Sequence, residues 1–267
     1  MSYSPDGARL MIPSHDGMAL YESGVGAGAK PPGPAYDYMD FSATRDTLCS
    51  CGHPAAGSGM TNPFGLIKSR DGGNTWQKLR LEGESDFLTV ATSYATNAVY
   101  VVNQAKNSRM DQPGIYHTRN DGLKWTLAAA NGLNGELKSL AANPSNASMF
   151  AVGTASGLYL SRNAGEKFER LIEGAAVLCA TFDLDGKNLW FSSYSGKAAL
   201  THIALAPGAK AEALSLPALT EDAIAYIAQN PVRRNEMAIA SLKRSVFLSK
   251  DLGRSWRQIA QNGDTYE

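Results

Sequence analysis

The chain has 267 residues, 43% of them hydrophobic, with 26 Gly and 12 Pro, enough for a sizeable core in one repeat-built domain. Lys+Arg and Asp+Glu are both 25, so the formal charge is zero, which argues against a general nucleic-acid binder. No apolar run approaches the roughly 18 residues of a transmembrane helix, and the opening Met1-Ser2-Tyr3-Ser4-Pro5-Asp6-Gly7 reads as strand and turn instead of a leader peptide.

In chain order, short apolar runs predict six units of about 44 residues, near 1–30, 36–83, 84–130, 134–175, 176–216 and 220–262. Unit one keeps a stub of a first strand, then 9–14 and 18–22, then a Gly/Ala/Pro loop over 24–34. Unit two has strands at 38–43, 47–51, 64–68 and 75–79, with a loop over 54–63. Unit three has 87–92, 98–103, 114–117 and 124–128; unit four has 137–142, 148–153, 157–160 and 167–171. Unit five has 176–182, 188–193, 199–205 and 212–216; unit six has 223–229, 236–241, 245–248 and 255–260. Breaker-rich turns such as Asn143-Pro144-Ser145-Asn146 and Asp183-Leu184-Asp185-Gly186 join first to second strands. Regular short strands without helical periodicity read as all-β, and radial closure as a six-bladed β-propeller, with seven blades as the alternative, suits this period. Cys49 and Cys51 alternate in one strand and are expected to be buried thiols on a common face.

One motif punctuates the units. Ser69-Arg70-Asp71-Gly72-Gly73-Asn74-Thr75-Trp76 recurs at 118–125, 161–168 and 249–256, with start-to-start spacings of 49, 43 and 88, the last covering a unit that lacks it. The shared positions are a hydroxyl (Ser69, Thr118, Ser161, Ser249), an Asx (Asp71, Asn120, Asn163, Asp251), a glycine (Gly73, Gly122, Gly165, Gly253) and an aromatic (Trp76, Trp125, Phe168, Trp256). The Asx accepts backbone N–H bonds and holds a tight turn, the glycine supplies positive φ, and the ring anchors the turn by burial. The motif therefore predicts a hairpin between the third and fourth strands of its unit.

This pattern resembles the Asp-box, or BNR repeat, of sialidase-like β-propellers. The stretch 38–46, Gly52-His53-Pro54, 65–69 and 221–231 also resembles a bacterial group of glycosyl-hydrolase-like members that are usually exported. The resemblance spans nearly the whole chain and implies structural hairpins at the blade rims, away from the central pocket. It implies export, with the cytoplasm as the alternative for a chain that shows no leader. Members carry a His-x-His-Gly strand before the Ser-Pro-Asp-Gly turn, and His where this chain has Tyr36 and Leu88; His15 and His53 are kept.

Propeller geometry puts two loop types on the face opposite the Asp-box turns: those joining second to third strands, and those linking blades. That face is the default binding site. Its candidates are His15, Asp16 and His53, Tyr36, Asp37 and Tyr38, Asp86, Glu221 and Asp222, and Arg244. His15 and His53 fall at equivalent loops of neighbouring blades with Asp37 between them in sequence, and are read as a cluster for a divalent metal or for acid–base work. Three functions follow. In a glycoside hydrolase acting at the channel mouth, Asp37, Asp86 and Tyr36 would be catalytic; true sialidase activity is not expected, because only Arg244 reaches the right face and the Arg-Ile-Pro signature is missing. The second is a non-catalytic propeller for a glycan, peptide or protein partner. The third is a metal-binding propeller centred on His15 and His53.

Overall fold

The computed structural model describes residues 1–22, 26–27 and 33–265. It is all-β, with six antiparallel sheets whose strands run in sequence order. Blade 1 is β1 (Ser2–Tyr3), β2 (Arg9–Ser14), β3 (Gly17–Glu22) and β4 (Gly26–Ala27). Blade 2 is β5 (Asp37–Ala43), β6 (Leu48–His53), β7 (Leu66–Ser69) and β8 (Gln77–Arg80). Blade 3 is β9 (Val90–Thr92), β10 (Val99–Asn103), β11 (Gly114–Thr118) and β12 (Thr126–Leu127). Blade 4 is β13 (Leu137–Ala142), β14 (Phe150–Thr154), β15 (Gly157–Ser161) and β16 (Glu169–Glu173). Blade 5 is β17 (Ala176–Phe182), β18 (Asn188–Tyr194), β19 (Ala198–Ala204) and β20 (Glu212–Leu214). Blade 6 is β21 (Ile224–Gln229), β22 (Met237–Ser241), β23 (Val246–Ser249), β24 (Arg257–Gln261) and an unexpected fifth strand, β25 (Asp264–Thr265). The architecture is a six-bladed β-propeller, as expected from the repeat. One expectation needs correcting: Gly26 and Ala27, placed in the 24–34 loop, pair with Glu22 and Tyr21 as the outer strand of blade 1. Residues 24–25 and 28–32 of that segment lie outside the described residues.

The core is a ring of six apolar clusters, one at each seam between blades. Blades 2 and 3 meet through Cys49, Cys51, Leu66, Phe87, Val99, Val101 and Met110. Blades 3 and 4 meet through Tyr100, Phe150, Val152, Tyr159 and Phe168, with the Tyr100 and Phe150 rings stacked at 4.2 Å. The ring closes between blades 6 and 1, where Met1, Tyr3 and Leu10 pack on Ala228, Ala238, Val246 and Ile259. Polar bonds reinforce that closure: Asn230 Nδ2 and an Arg233 guanidinium nitrogen both donate to the Gly7 carbonyl, at 2.9 and 2.7 Å. Because each blade shows apolar residues on both of its faces, it can bury them only between two neighbours, which is the physical logic of radial repetition.

The four motif turns are built alike. In blade 2, Ser69 Oγ donates to Asp71 Oδ1 (2.8 Å) and accepts from the Gly73 amide (2.8 Å), while Asp71 Oδ1 accepts the Thr75 amide (2.9 Å). The same three bonds recur on Thr118 and Asn120, Ser161 and Asn163, and Ser249 and Asp251. The four glycines have φ between 78° and 94°, and the residue before each, Gly72, Asp121, Ala164 or Leu252, is left-handed too. A Cβ at Gly165 would stand 2.4 Å from the Ala128 Cβ, so close packing as well as φ demands glycine there. The aromatic closes the seam with the preceding blade instead of opening the fourth strand: Trp76 packs against Tyr38 and Phe41, Phe168 against Phe150, and the Trp256 indole donates to the Ser215 carbonyl of blade 5 at 2.9 Å.

Candidate functional site

Two faces result. The corner face carries the motif turns and the turns between first and second strands. The mouth face carries the loops between second and third strands and the links between blades. A cavity of about 560 Å³ runs along the axis between them, lined by the innermost strands of all six blades.

The residues that line this channel owe their facing to β-bulges. The pairing of the first strand on the second slips by one residue in blades 2, 4, 5 and 6, at Tyr38/Asp40, Leu137/Ser139, Val177/Cys179 and Ile224/Tyr226. A bulge re-aims the side chains beyond it, and Asp40, Ser139, Cys179 and Tyr226 become equivalent positions lining the axis. Asp40 is also a staple across the seam to blade 3. Its Oδ2 accepts the Thr89 hydroxyl (2.7 Å) and the Val90 amide (2.9 Å), and its Oδ1 accepts the Phe41 amide (2.7 Å). Burial holds the Tyr226 phenol above its ordinary range, and the Asp40 charge adds to the effect. Pattern reading missed Asp40, Cys179 and Tyr226; the available signal was a carboxylate inside an otherwise apolar inner strand.

On the mouth face the sequence-predicted residues fall into two pairs, one on each seam of blade 2. His15 Nδ1 lies 2.8 Å from Asp37 Oδ1, joining the β2–β3 loop of blade 1 to the start of β5. His53 Nε2 lies 3.5 Å from Asp86 Oδ1, joining blade 2 to the link into blade 3, and its Nδ1 bonds Asn62 Oδ1 at 2.7 Å. Asp37 and His53 are themselves cross-strand partners in the β5–β6 ladder. His15, Asp37, His53 and Asp86 therefore form a line across three blades, linked by two side-chain contacts and one register pair. Each carboxylate has its second oxygen without a hydrogen-bond partner among the described residues. The expected single metal cluster does not form: among the described residues no three His, Cys, Asp or Glu side chains are placed to hold an ion.

The other candidates are positioned differently from expectation. Tyr36 and Tyr38 belong to the aromatic core of the blade 1–2 seam with Phe64 and Trp76. Their hydroxyls are spent on Met60 Sδ (2.8 Å) and the Pro34 carbonyl (3.2 Å). A buried phenol with its hydrogen bond made is not a free nucleophile, so the catalytic reading of Tyr36 and the ligand reading of Tyr38 are corrected to packing. Asp222 Oδ1 caps the Ala223 and Lys243 amides, at 2.8 and 3.0 Å, and serves its own loop. Asp16, Glu221 and Arg244 are exposed on the mouth face. Leu88 and Leu242, 50% and 64% exposed, line the channel at its rim. Cys49 and Cys51 are fully buried as expected, and burial pushes the Cys49 thiol up to about 12, so neither offers a thiolate. Among the described residues no helix is long and apolar enough to cross a membrane.

Comparison with known proteins places the fold. No family model matches the chain, and no curated protein does. Solved structures do match. The GH74 enzyme of Niastella koreensis aligns with a TM-score of 0.64 at 15% identity over 96% of this chain. This is a β-propeller similar to theirs. The chain spans 44% of the length of that enzyme. Kuenenia stuttgartiensis hydrazine synthase aligns with a TM-score of 0.61 at 13% identity, covering 92% of this chain and 74% of that one. The Cps50 (Swd1) β-propeller domain of Myceliophteria thermophila aligns with a TM-score of 0.58 at 12% identity, covering 96% and 84%. Proteins as different as these share this fold, so the function has to be argued from the site.

Proposed function

We propose that this chain is a carbohydrate-binding propeller whose ligand sits over the channel mouth without being turned over. The observation that carries the reading is the line His15–Asp37–His53–Asp86 beside the open channel. Imidazole and carboxylate groups offer donors and acceptors at fixed spacing, as the hydroxyls of a sugar require, while Leu88 and Leu242 give its less polar face a surface to rest on. Calorimetric titration of a panel of neutral and acidic oligosaccharides tests it. Saturable binding that His15→Ala and His53→Ala each weaken by roughly tenfold supports the reading; no binding by any member contradicts it.

Glycoside hydrolysis by Asp37 and Asp86 is the second reading, favoured by the free second oxygen on each carboxylate. Turnover of an aryl-glycoside panel, abolished by Asp37→Asn or Asp86→Asn, would establish it over simple binding.

A further inference from the structure

A second cavity, of about 270 Å³, lies on the corner face at the seam between blades 2 and 3. Lys68, Arg45 and Arg70 line it, with Asp46 and Asp121, the Thr44, Thr47 and Thr96 hydroxyls and Asn97. Lys68 is the unusual residue. It precedes the motif serine, where the other repeats have His117, Leu160 and Leu248, and it is only 8% exposed. Its Nζ lies 2.5 Å from Asp121 Oδ1. Asp121 is also a departure, a left-handed residue (φ 55°) where the other repeats have Gly72, Ala164 and Leu252. Two matched departures from the repeat thus place a buried charge where two repeats place leucine, and a buried charge at an otherwise apolar position is costly unless it is used.

Lys68, Arg45 and Arg70 against Asp46 and Asp121 leave the cavity lining with one net positive charge, with Lys68 neutralised by Asp121. Neither arginine has an ion-pair partner among the described residues. The Arg45 amide donates to the Tyr94 carbonyl of blade 3 at 2.9 Å, which fixes one wall to the other across the seam. The surrounding face adds Arg119, Arg162 and Lys250, which occupy in their own motifs the position of Arg70. Arg162 is spent on Glu169 and Arg119 on Ser148, whereas no such side-chain partner is given to Arg45 or Arg70 among the described residues.

We propose that this cavity binds a tetrahedral oxyanion of phosphate or sulfate size carried on a small molecule or glycan, with Arg45 and Arg70 as its charged donors and Lys68 at the back. Guanidinium groups match such oxyanions in geometry and charge, and the Thr96 hydroxyl and Asn97 amide supply neutral donors, while the Thr44 and Thr47 hydroxyls bond each other at 2.8 Å. The site is on the face opposite the channel mouth and stands or falls independently of carbohydrate binding there. Calorimetric titration of inorganic phosphate and inorganic sulfate, at ionic strength held constant with chloride, tests it; a hexose 6-phosphate and a hexose 6-sulfate then distinguish the two sources. The expected result is saturable one-site binding, weakened roughly tenfold or more by Arg45→Ala and by Arg70→Ala. The pair Lys68→Leu with Asp121→Ala restores the pattern of the other repeats and should stay folded while binding the anion more weakly. Absence of saturable binding, or binding unmoved by both arginine variants, overturns the proposal; unmoved binding in the folded Lys68→Leu/Asp121→Ala protein overturns the part given to Lys68.

Discussion

The two faces of this propeller follow opposite rules. On the corner face, four blades solve the same problem with the same three hydrogen bonds, from Ser69 and Asp71 through Thr118 and Asn120 to Ser249 and Asp251. On the mouth face the blades differ: the ends of the second strands and the loops after them present histidine in blades 1 and 2 (His15, His53), Tyr194 in blade 5 and Lys243 in blade 6. Repetition marks what every blade needs in order to fold, and difference marks where a ligand can be told from water. The seam between blades 2 and 3 sharpens the point, because there the corner face itself departs from its repeat, at Lys68 and Asp121.

The corner motif also varies in an instructive way. Where the Asx is Asp, a hydroxyl follows four residues later and donates to its second oxygen: Thr75 to Asp71 and Ser255 to Asp251, both at 2.6 Å. Where the Asx is Asn, that position is Lys124 or Lys167. A second acceptor oxygen is thus kept only where a second donor exists to meet it.

If the motif turns are purely structural, their variants should change stability and leave oligosaccharide binding alone. The largest effect is expected from Phe168→Ala, which removes a buried ring packed edge-on to Phe150 in the seam. About 3–5 kcal/mol of unfolding free energy should be lost in denaturant titration; a loss under about 1 kcal/mol would mean the seams are not the core. Ser69→Ala should come next. It leaves the buried Gly73 amide without its acceptor, at about 1–3 kcal/mol by the same measurement. A value near zero would show that the turn is held by its backbone alone.

The smallest effect is one of pH. The Thr75 hydroxyl, then the Thr75 amide and the Ser69 hydroxyl, hold the Asp71 carboxyl down at about 2, and Ser255 and Ser249 do the same for Asp251. A carboxyl depressed in the folded state contributes stability above its ordinary unfolded range, and that stability is lost as pH falls toward about 2. Between pH 4 and pH 2 the melting temperature of the Asp71→Asn/Asp251→Asn protein should therefore fall less steeply than that of the parent. Parallel slopes would remove these two carboxylates from the acid response.

Much of the fold was legible because its determinants are local. A hydroxyl, an Asx and a glycine at fixed spacing can satisfy their hydrogen bonds in one kind of turn, and counting strands between turns then put His15, Asp37, His53 and Asp86 on one face. That they would pair as His15–Asp37 and His53–Asp86, without gathering into one cluster, depends on the distance between seams, which no local pattern encodes. Asp40 escaped notice because a bulge shifts the alternation by one residue, so strand parity gives the wrong facing beyond Tyr38. Tyr36 and Tyr38 were misread because they flank Asp37; in the folded chain their rings complete the aromatic packing of the blade 1–2 seam while Asp37 turns to His15. The burial of Lys68 depends on Asp121 of blade 3, a partner 53 residues away that no local pattern encodes.

We place oligosaccharide binding on the mouth face and the repeated hairpin turns that hold the fold on the corner face. The most direct test titrates the best oligosaccharide of the panel into two variants side by side, His15→Ala/His53→Ala and Ser69→Ala/Ser249→Ala, with melting temperatures measured on the same samples. The first should lose affinity by about tenfold or more at nearly unchanged melting temperature, and the second should melt earlier with affinity intact. Affinity that survives in the histidine variant, or falls in the serine variant while it remains folded, would contradict the assignment of binding to the channel mouth.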